Sequence, residues 1–317
     1  MSIALCIPAY NAADCLPRLL KSALGQTKLF NEIWVYDDCS VDKTASVASG
    51  FGAQVIRGAI NKGCSHGKNA LVNAVSSEWI HFHDADDDLL PSFVKLAQRW
   101  VEKDCADVIL FNYNNLEEGT GRLLGHRIFD PILLEKDPRA YAISEQINPF
   151  CGLYRKSAYL EAGGYDEDPA VLYNEDVAFH IRLAFAGLKF AVEPEVAIIN
   201  YTSSSSMSQS NKLGCLQAHL AVLVKTAEHP EAHLYYHLVA KKLWHVAGLL
   251  GSYLDWNSAD RAIDMAINLA PLQAAELNPW LIKACQVSPH LTYRLREASS
   301  RLFKPALRSG YPRRGRD

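Results

Sequence analysis

The chain has 317 residues, 49% of them hydrophobic and 21% charged, with a formal net charge of -3. That is enough apolar material for one large α/β domain and an appendage, and the slight negative charge speaks against a nucleic-acid partner. Eight cysteines lie scattered with no Cys-x-x-Cys pair, which favours free thiols in a reducing compartment.

Ile3 to Pro8 is an apolar run that stops at a proline and the polar turn Ala9-Tyr10-Asn11, so it predicts a strand that feeds a functional loop. Asp14 can cap a helix over Cys15 to Leu24, where Leu16, Leu19, Leu20 and Ala23 recur at helical spacing. Glu32 to Tyr36 predicts a second strand, ending in Asp37-Asp38-Cys39-Ser40-Val41-Asp42, and Ser40 or Asp42 can cap a short helix from Thr44 to Phe51. Gln54 to Arg57 reads as a third strand, Asn61 to Gly67 as a loop, and Lys68 to Val75 as a helix leading into a fourth strand at Trp79.

That fourth strand, Trp79-Ile80-His81-Phe82-His83, runs straight into Asp84-Ala85-Asp86-Asp87-Asp88, four carboxylates in five positions. Carboxylates so close raise one another's pKa unless a cation or a set of donors sits among them. In extended backbone Asp84 and Asp86 share a face. Paired hard oxygens with no thiolate beside them suit Mg2+ or Mn2+, and Mg2+ completes its shell with substrate phosphates and water. The bland alternative is a solvated acidic turn before a helix that starts near Ser92. Four alternations of strand and helix with short connections predict a mainly parallel sheet with crossover helices. Both acidic turns fall at carboxyl ends of strands, where an open α/β sheet forms its ligand crevice.

Further on, Val94 to Val101 continues as helix, Val108 to Tyr113 as strand, and Asn114 to Arg127 as a loop or hairpin. A strand (Gly152 to Tyr154), a helix (Lys156 to Ala162) and the turn Gly163-Gly164-Tyr165-Asp166 precede a second acid pair, Glu175-Asp176. This pair opens a helix at its positive end, with Val177, Ile181, Ala184 and Phe185 on one apolar face. Leu188 to Val192 and Val196 to Tyr201 predict two closing strands, and Thr202 to Ser210 a serine-rich loop. Residues 213–303 are helical by pattern, with breaks near His229-Pro230, Asp255 to Ser258, Pro271 and Pro289. Three regions result: an α/β domain over 1–212, a C-terminal all-helical region over 213–303, and a flexible basic tail over 304–317.

The segments Ile7-Pro8-Ala9-Tyr10-Asn11, Asp37 to Asp42, Asn61-Lys62-Gly63 with Lys68-Asn69, Asp84-Ala85-Asp86-Asp87, and Glu175-Asp176 together resemble the successive motifs of the family 2 glycosyltransferases. Those are inverting enzymes of the GT-A fold, and the resemblance reaches to about Tyr201. It implies that Pro8, Ala9, Tyr10, Asn11 and one of Asp37 or Asp38 surround the donor's base and ribose, and that Lys62 or Lys68 faces the diphosphate. Asp84, with Ala85 beside it, would meet ribose or metal-bound water, and Asp86 would ligate Mn2+ or Mg2+. Asp176, with Glu175 as the other candidate, would be the general base for an acceptor hydroxyl. The implied donor is a nucleotide-sugar carrying UDP, and the implied acceptor a glycan or lipid-linked hydroxyl in cell-surface polysaccharide synthesis. Two positions depart from the pattern. Lys68 stands where relatives often carry Arg, and Asn200-Tyr201-Thr202-Ser203 lacks the His that serves many relatives as a metal ligand.

Rival readings are weaker. His81-x-His83 suggests zinc, but Ala85 and Asp86 occupy positions where such a hydrolase needs other ligands, so both histidines read as packed strand residues, His83 orienting Asp84. Gly63 to Lys68 lacks the spacing and the Ser/Thr of a phosphate loop. His229, His233 and His237 straddle Pro230 and read as surface. A rival of another class is a nucleotide-sugar-binding scaffold that kept the fold and lost catalysis.

No apolar run approaches the ~20 residues that span a bilayer, and no basic-then-apolar leader precedes the first strand, so the expectation is a cytoplasmic protein. From His290 onward eight basic residues face two acidic ones, +6, which leaves -9 on the rest of the chain. Such asymmetry predicts peripheral contact with an anionic membrane at the inner face of the plasma membrane.

Overall fold

A strand covered by helices on both faces has no polar side, and β1 (Ile3–Ala9) is accordingly buried along nearly its whole length. In the computed structural model, which describes residues 1–202, 211–272 and 278–312, β1 pairs in parallel with β2 (Glu32–Asp37) and with β4 (Trp79–Phe82). β3 (Gln54–Arg57) extends the parallel part beyond β2. The sheet then turns mixed. β8 (Gly152–Arg155) lies antiparallel between β4 and β6 (Val108–Glu117), and β9 (Phe190–Thr202) is parallel to β6. β5 (Asp88–Leu89) closes the order β3-β2-β1-β4-β8-β6-β9-β5, and β7 (Leu123–Arg127) forms a hairpin with β6.

The flanking helices are α1 (Leu16–Leu24), α2 (Thr44–Gly50), α3 (Cys64–Ala74), α4 (Phe93–Lys103), α5 (Pro131–Lys136), α6 (Pro138–Ser144), α7 (Lys156–Glu161) and α8 (Glu175–Phe185). Several differ in detail from the pattern reading. Asp14 does not cap α1, which has Cys15 at its cap and no side-chain cap bond. At α2 neither Ser40 nor Asp42 is the cap residue, which is Lys43 without a side-chain cap bond; Asp42 accepts from Thr44 N–H at 2.9 Å just ahead of the helix, and Ser40 Oγ accepts from Asn11 N–H. α3 starts at Cys64, so Gly67 belongs to the helix: a Cβ there would stand 2.9 Å from the Tyr36 ring. The two expected closing strands are one, β9, whose register against β6 slips around Glu193-Pro194-Glu195, since proline cannot donate to a ladder.

Residues 1–167 and 175–202 belong to one compact unit, and residues 168–174 with the described residues from 211 onward belong to a second. The second contains α9 (Lys212–Glu228), α10 (Tyr236–Ser252), α11 (Trp256–Leu269), α12 (Pro279–Val287) and α13 (Pro289–Phe303). Asp255 caps α11 by accepting from Ser258 N–H, and Tyr293 OH of α13 donates to Trp244 O of α10. The stretch expected to be a flexible tail begins in ordered structure. Pro305–Arg308 makes a 3-10 turn, Arg308 pairs with the buried Glu297 at 2.7 Å, and the Tyr311 ring packs on Tyr253. The charge on Glu297 explains the docking. Arg313, Arg314 and Arg316, and the serine run from 203 to 210, lie outside the described residues. Among the described residues no helix is long and apolar enough to cross a membrane.

Glu32 ties β2 to the turn before β4. Its carboxylate accepts from Trp34 Nε1, from the backbone N–H of Ser76 and Ser77 and from both serine hydroxyls. Burial works against the ionised form, but these donors outweigh it and hold the pKa down at about 2, against an ordinary 4.5. A depressed carboxylate stabilises the fold above its unfolded pKa and loses that contribution as pH falls through the folded value. Glu32→Gln should lower the thermal midpoint by a few degrees at neutral pH, with the gap to wild type closing as the pH is lowered from about 4.5 toward 2.

Candidate active site

β4 ends at Phe82 and the chain leaves the sheet through the acidic turn. The four aspartates part company there. Asp87 points inward, buried, and accepts from Asn200 Nδ2 at 2.8 Å and from Tyr201 N–H at 2.7 Å. Asp84 is half-buried and Asp86 exposed. Arg18, on α1, fixes the turn from the other side: one of its nitrogens donates to Asp86 O, another pairs with Glu118 at 2.9 Å, and the guanidinium lies 3.9 Å from the Tyr201 ring. Burial pushes the Asp84 pKa up to about 6, Lys68 pulling it down and Asp86 and Glu175 pushing it up.

The loops after β1 and β2 are fastened to each other. Asn11 and Cys39 both adopt left-handed backbone (φ 48° and 64°), which non-glycine residues seldom do outside functional turns. Asn11 Oδ1 accepts from Val41 N–H, and Ala12 N–H donates to Thr44 Oγ1. The residues expected around a donor base and ribose therefore sit on one rim: Pro8 half-buried, Ala9 buried, Tyr10 and Asn11 exposed. The two neighbouring aspartates have different tasks. Asp38 accepts from Lys62 N–H at 2.9 Å and Gly63 N–H at 2.7 Å and so holds the entry to α3. Asp37 is fully buried, accepts from Ser40 N–H through one oxygen, and offers the other, Oδ2, to no hydrogen-bond donor, with Arg57 Nε 3.5 Å away.

Opposite the acidic turn, α8 opens with Glu175 and Asp176. Lys68 is buried, and its Nζ lies 3.4 Å from Asp176 Oδ1 and 4.5 Å from the centre of the Tyr165 ring. Of the two lysines expected at a diphosphate, Lys68 is thus aimed at the acid pair, and Lys62 remains exposed. Burial works against the Lys68 ammonium, and Cys64, Asp176, Asp84 and Glu175 around it more than offset that, raising its pKa. The Asp176 side chain is 27% exposed, recessed but reachable. Desolvation raises its pKa, Lys68 opposes, and Glu175 and Asp84 add to the rise. Below them His180 donates from Nδ1 to Asp176 O and accepts at Nε2 from Tyr154 OH, the tautomer that the carbonyl dictates.

Asn69 positions Tyr165: its Nδ2 donates to Tyr165 O and to Glu167, and its Oδ1 accepts from Tyr165 N–H and Tyr159 OH. Gly164, at φ 64°, is required, because a Cβ would come within 2.7 Å of Asn69 Oδ1. Sequence reasoning passed over Arg18, and it quoted Asn69 and Asn200 within their segments without giving either a role.

The expectation that His83 orients Asp84 is corrected. His81 Nδ1 donates to Gly152 O and His81 Nε2 accepts from His83 Nδ1 at 3.0 Å, so the histidines engage each other. Burial drives both pKa values down, that of His81 to about 3, and keeps the rings neutral.

Residues 4–161 match the family described as Glycosyl transferase family 2. The N-terminal half of the chain belongs to that family. The succinoglycan biosynthesis protein ExoO of Rhizobium meliloti is 26% identical over 68% of this chain; the match spans 65% of that relative, less than two thirds of its length. TarS of S. aureus (residues 1–349, in complex with UDP-GlcNAc) superposes with a TM-score of 0.72 over 95% of this chain and 92% of that one, at 18% identity. The mannosyltransferase PcManGT of Pyrobaculum calidifontis, in complex with GDP-Man and Mn2+, gives 0.59 at 15% identity, over 95% and 87% of the two chains. The architecture is a GT-A-like mixed α/β sheet with a C-terminal helical region.

Among the described residues of the family 2 domain no three His, Cys, Asp or Glu converge as a metal site. Asp84 and Asp86 still suit a hard cation: a carboxylate raised to about 6 beside a second acid is relieved by positive charge, and two protein oxygens leave positions for phosphate and water. Among the described residues, the buried side-chain atoms without a hydrogen-bond partner include Asp37 Oδ2, Glu175 Oε2 and Tyr165 OH, and such an atom costs about 1–3 kcal/mol while it stays unsatisfied.

If Asp176 acts as a base, Lys68 is the cation that keeps it ionised. Lys68→Met should move the acid limb of the pH–rate profile to higher pH by about 1 unit or more, and Lys68→Arg should leave it near its original place. An unmoved limb in the methionine variant would assign Lys68 to packing alone.

Proposed function

We propose that the chain is an inverting, metal-dependent glycosyltransferase that moves a sugar from a UDP-linked donor to a hydroxyl of a glycan or lipid-linked acceptor, in cell-surface polysaccharide synthesis. The observation that carries this reading is that buried Lys68 Nζ stands 3.4 Å from Asp176 Oδ1 at the start of α8, with Asp84 from the end of β4 and Glu175 acting on the same ammonium. One recess thus offers acid on the donor side and a reachable carboxylate on the acceptor side. The name of ExoO supports the process, and the UDP-GlcNAc complex of TarS supports the donor. The GDP-Man complex of PcManGT is the lesser likeness, which favours uracil over guanine.

In this reading the turn that carries Asp37 and Asp38 meets the donor's base and ribose, and Pro8, Ala9, Tyr10 and Asn11 form the wall beside it. Asp86 and Asp84 would hold Mn2+ or Mg2+, which supplies charge neutralisation at the departing diphosphate. Asp176 takes the proton of the acceptor hydroxyl while that oxygen bonds to the anomeric carbon and the bond from carbon to diphosphate oxygen breaks. Attack from the far side inverts the centre. A glycosidase would need a second carboxyl group as acid; here one base suffices. The positive end of α8 and Lys68 favour ionised Asp176 against the burial that raises its pKa, and Glu175, buried beside it, is the lesser candidate. The enzyme would work at the cytoplasmic face of the plasma membrane, its basic C-terminal residues toward anionic lipid.

Calorimetry with UDP and GDP, with and without Mn2+, and transfer assays on two variants test this. Asp176→Asn should keep metal-enhanced UDP binding and lose about 10²–10⁴-fold in kcat. Asp86→Ala should lose the metal enhancement itself. Proton NMR of the product should show the anomeric configuration opposite to that of the donor. Wild-type turnover in the Asn variant would sink the base assignment, and UDP binding without transfer in every acceptor screen would favour the scaffold.

A further inference from the structure

An amphipathic helix in a folded unit hides its apolar stripe, and α13 does the reverse. Its inward positions are Thr292, Tyr293 and Glu297, all buried, with Tyr293 OH on Trp244 O. Its outward line is Leu291, Leu295 and Leu302, which are 54%, 60% and 71% exposed. At helical spacing these leucines lie along one edge, about 16 Å from first to last. Phe303 at the end of the helix and Trp280 on α12 are exposed as well.

Charge decides what covers this face. Residues 278–312 hold six basic side chains against one acid, Glu297. Glu297 is already shared between Arg301 and Arg308. Lys283 and Lys304 are exposed and, among the described residues, have no ion pair, while Arg296 lies over the Tyr293 ring. A second copy pairing through the same face would set positive charge against positive charge, because a two-fold interface brings each patch onto itself. An anionic lipid surface meets both requirements, apolar depth for the leucines and negative headgroups for the flanking cations.

We propose that the outer face of α13, with its flanking cations, is a membrane-contact surface for anionic lipid. This deepens the membrane placement given above, and it is read out by binding rather than by transfer, so its failure leaves the transferase reading standing. The full chain should pellet with vesicles of equal parts phosphatidylcholine and phosphatidylglycerol and not with phosphatidylcholine alone. The triple variant Leu291→Ser, Leu295→Ser, Leu302→Ser should partition at least about tenfold less at an unchanged thermal midpoint, because the replaced side chains are exposed. Lys283→Glu with Lys304→Glu should weaken binding comparably, and this pair decides alone should the triple variant fail to fold. Equal partitioning of the variants and wild type overturns the proposal. So does an absence of vesicle binding, whether light scattering then shows a monomer or a dimer that the triple variant dissolves, the dimer giving the face to a second copy.

Discussion

Asp84, Glu175 and Asp176 bring three carboxylates around the buried Lys68, with Asp86 exposed beside Asp84, and like charges in a partly dry site repel far more strongly than in water. Lys68 answers that repulsion from inside the protein. Its place depends on much of the surrounding structure: Asp38 holds the entry to α3, Gly67 lets the helix close on Tyr36, and Asn69 turns Tyr165 under the ammonium. The parallel strands β1, β2 and β4 end at the same edge, so acids far apart in sequence share one field. Packing supplies the frame, and electrostatic balance decides how the frame is used.

Much of this could be read from the residues in order. Apolar runs that end in polar turns marked β1, β2 and β4, and the acid clusters at their ends marked the crevice, because side-chain period and turn chemistry are local properties. What escaped reading depends on partners distant in sequence. Nothing in Asp84 to Asp88 distinguishes Asp87 as the inward carboxylate, since Asn200, which claims it, lies 113 residues on. The polar sequence Cys64-Ser65-His66-Gly67 looks like loop until the Tyr36 ring that Gly67 accommodates is in place. Glu193-Pro194-Glu195 looked like a strand break and is a slip of register within one strand.

The histidines show the same limit from the side of chemistry. A His-x-His pair before a run of aspartates fits a metal centre as well as it fits a core. The outcome turns on Gly152 O, which fixes the tautomer of His81 and through it that of His83, and on burial, which keeps both rings neutral. Lys68 is a similar case. As a point charge without the fork of an arginine it can sit over the Tyr165 ring and still reach Asp176, a geometry that asks for no bidentate partner.

The bond between Asp87 and the end of β9 also sets an order of events. Asn200 and Tyr201 belong to the last strand to be synthesised, and until that strand has docked beside β6 the inward carboxylate has no donors and the acidic turn no fixed shape. Contacts so distant in sequence form late, after the loop entropy between them has been lost. A nascent chain that has not yet reached Asn200 can build the parallel strands and their helices, but its acidic turn stays unshaped. The shape of the acidic turn therefore arrives with β9.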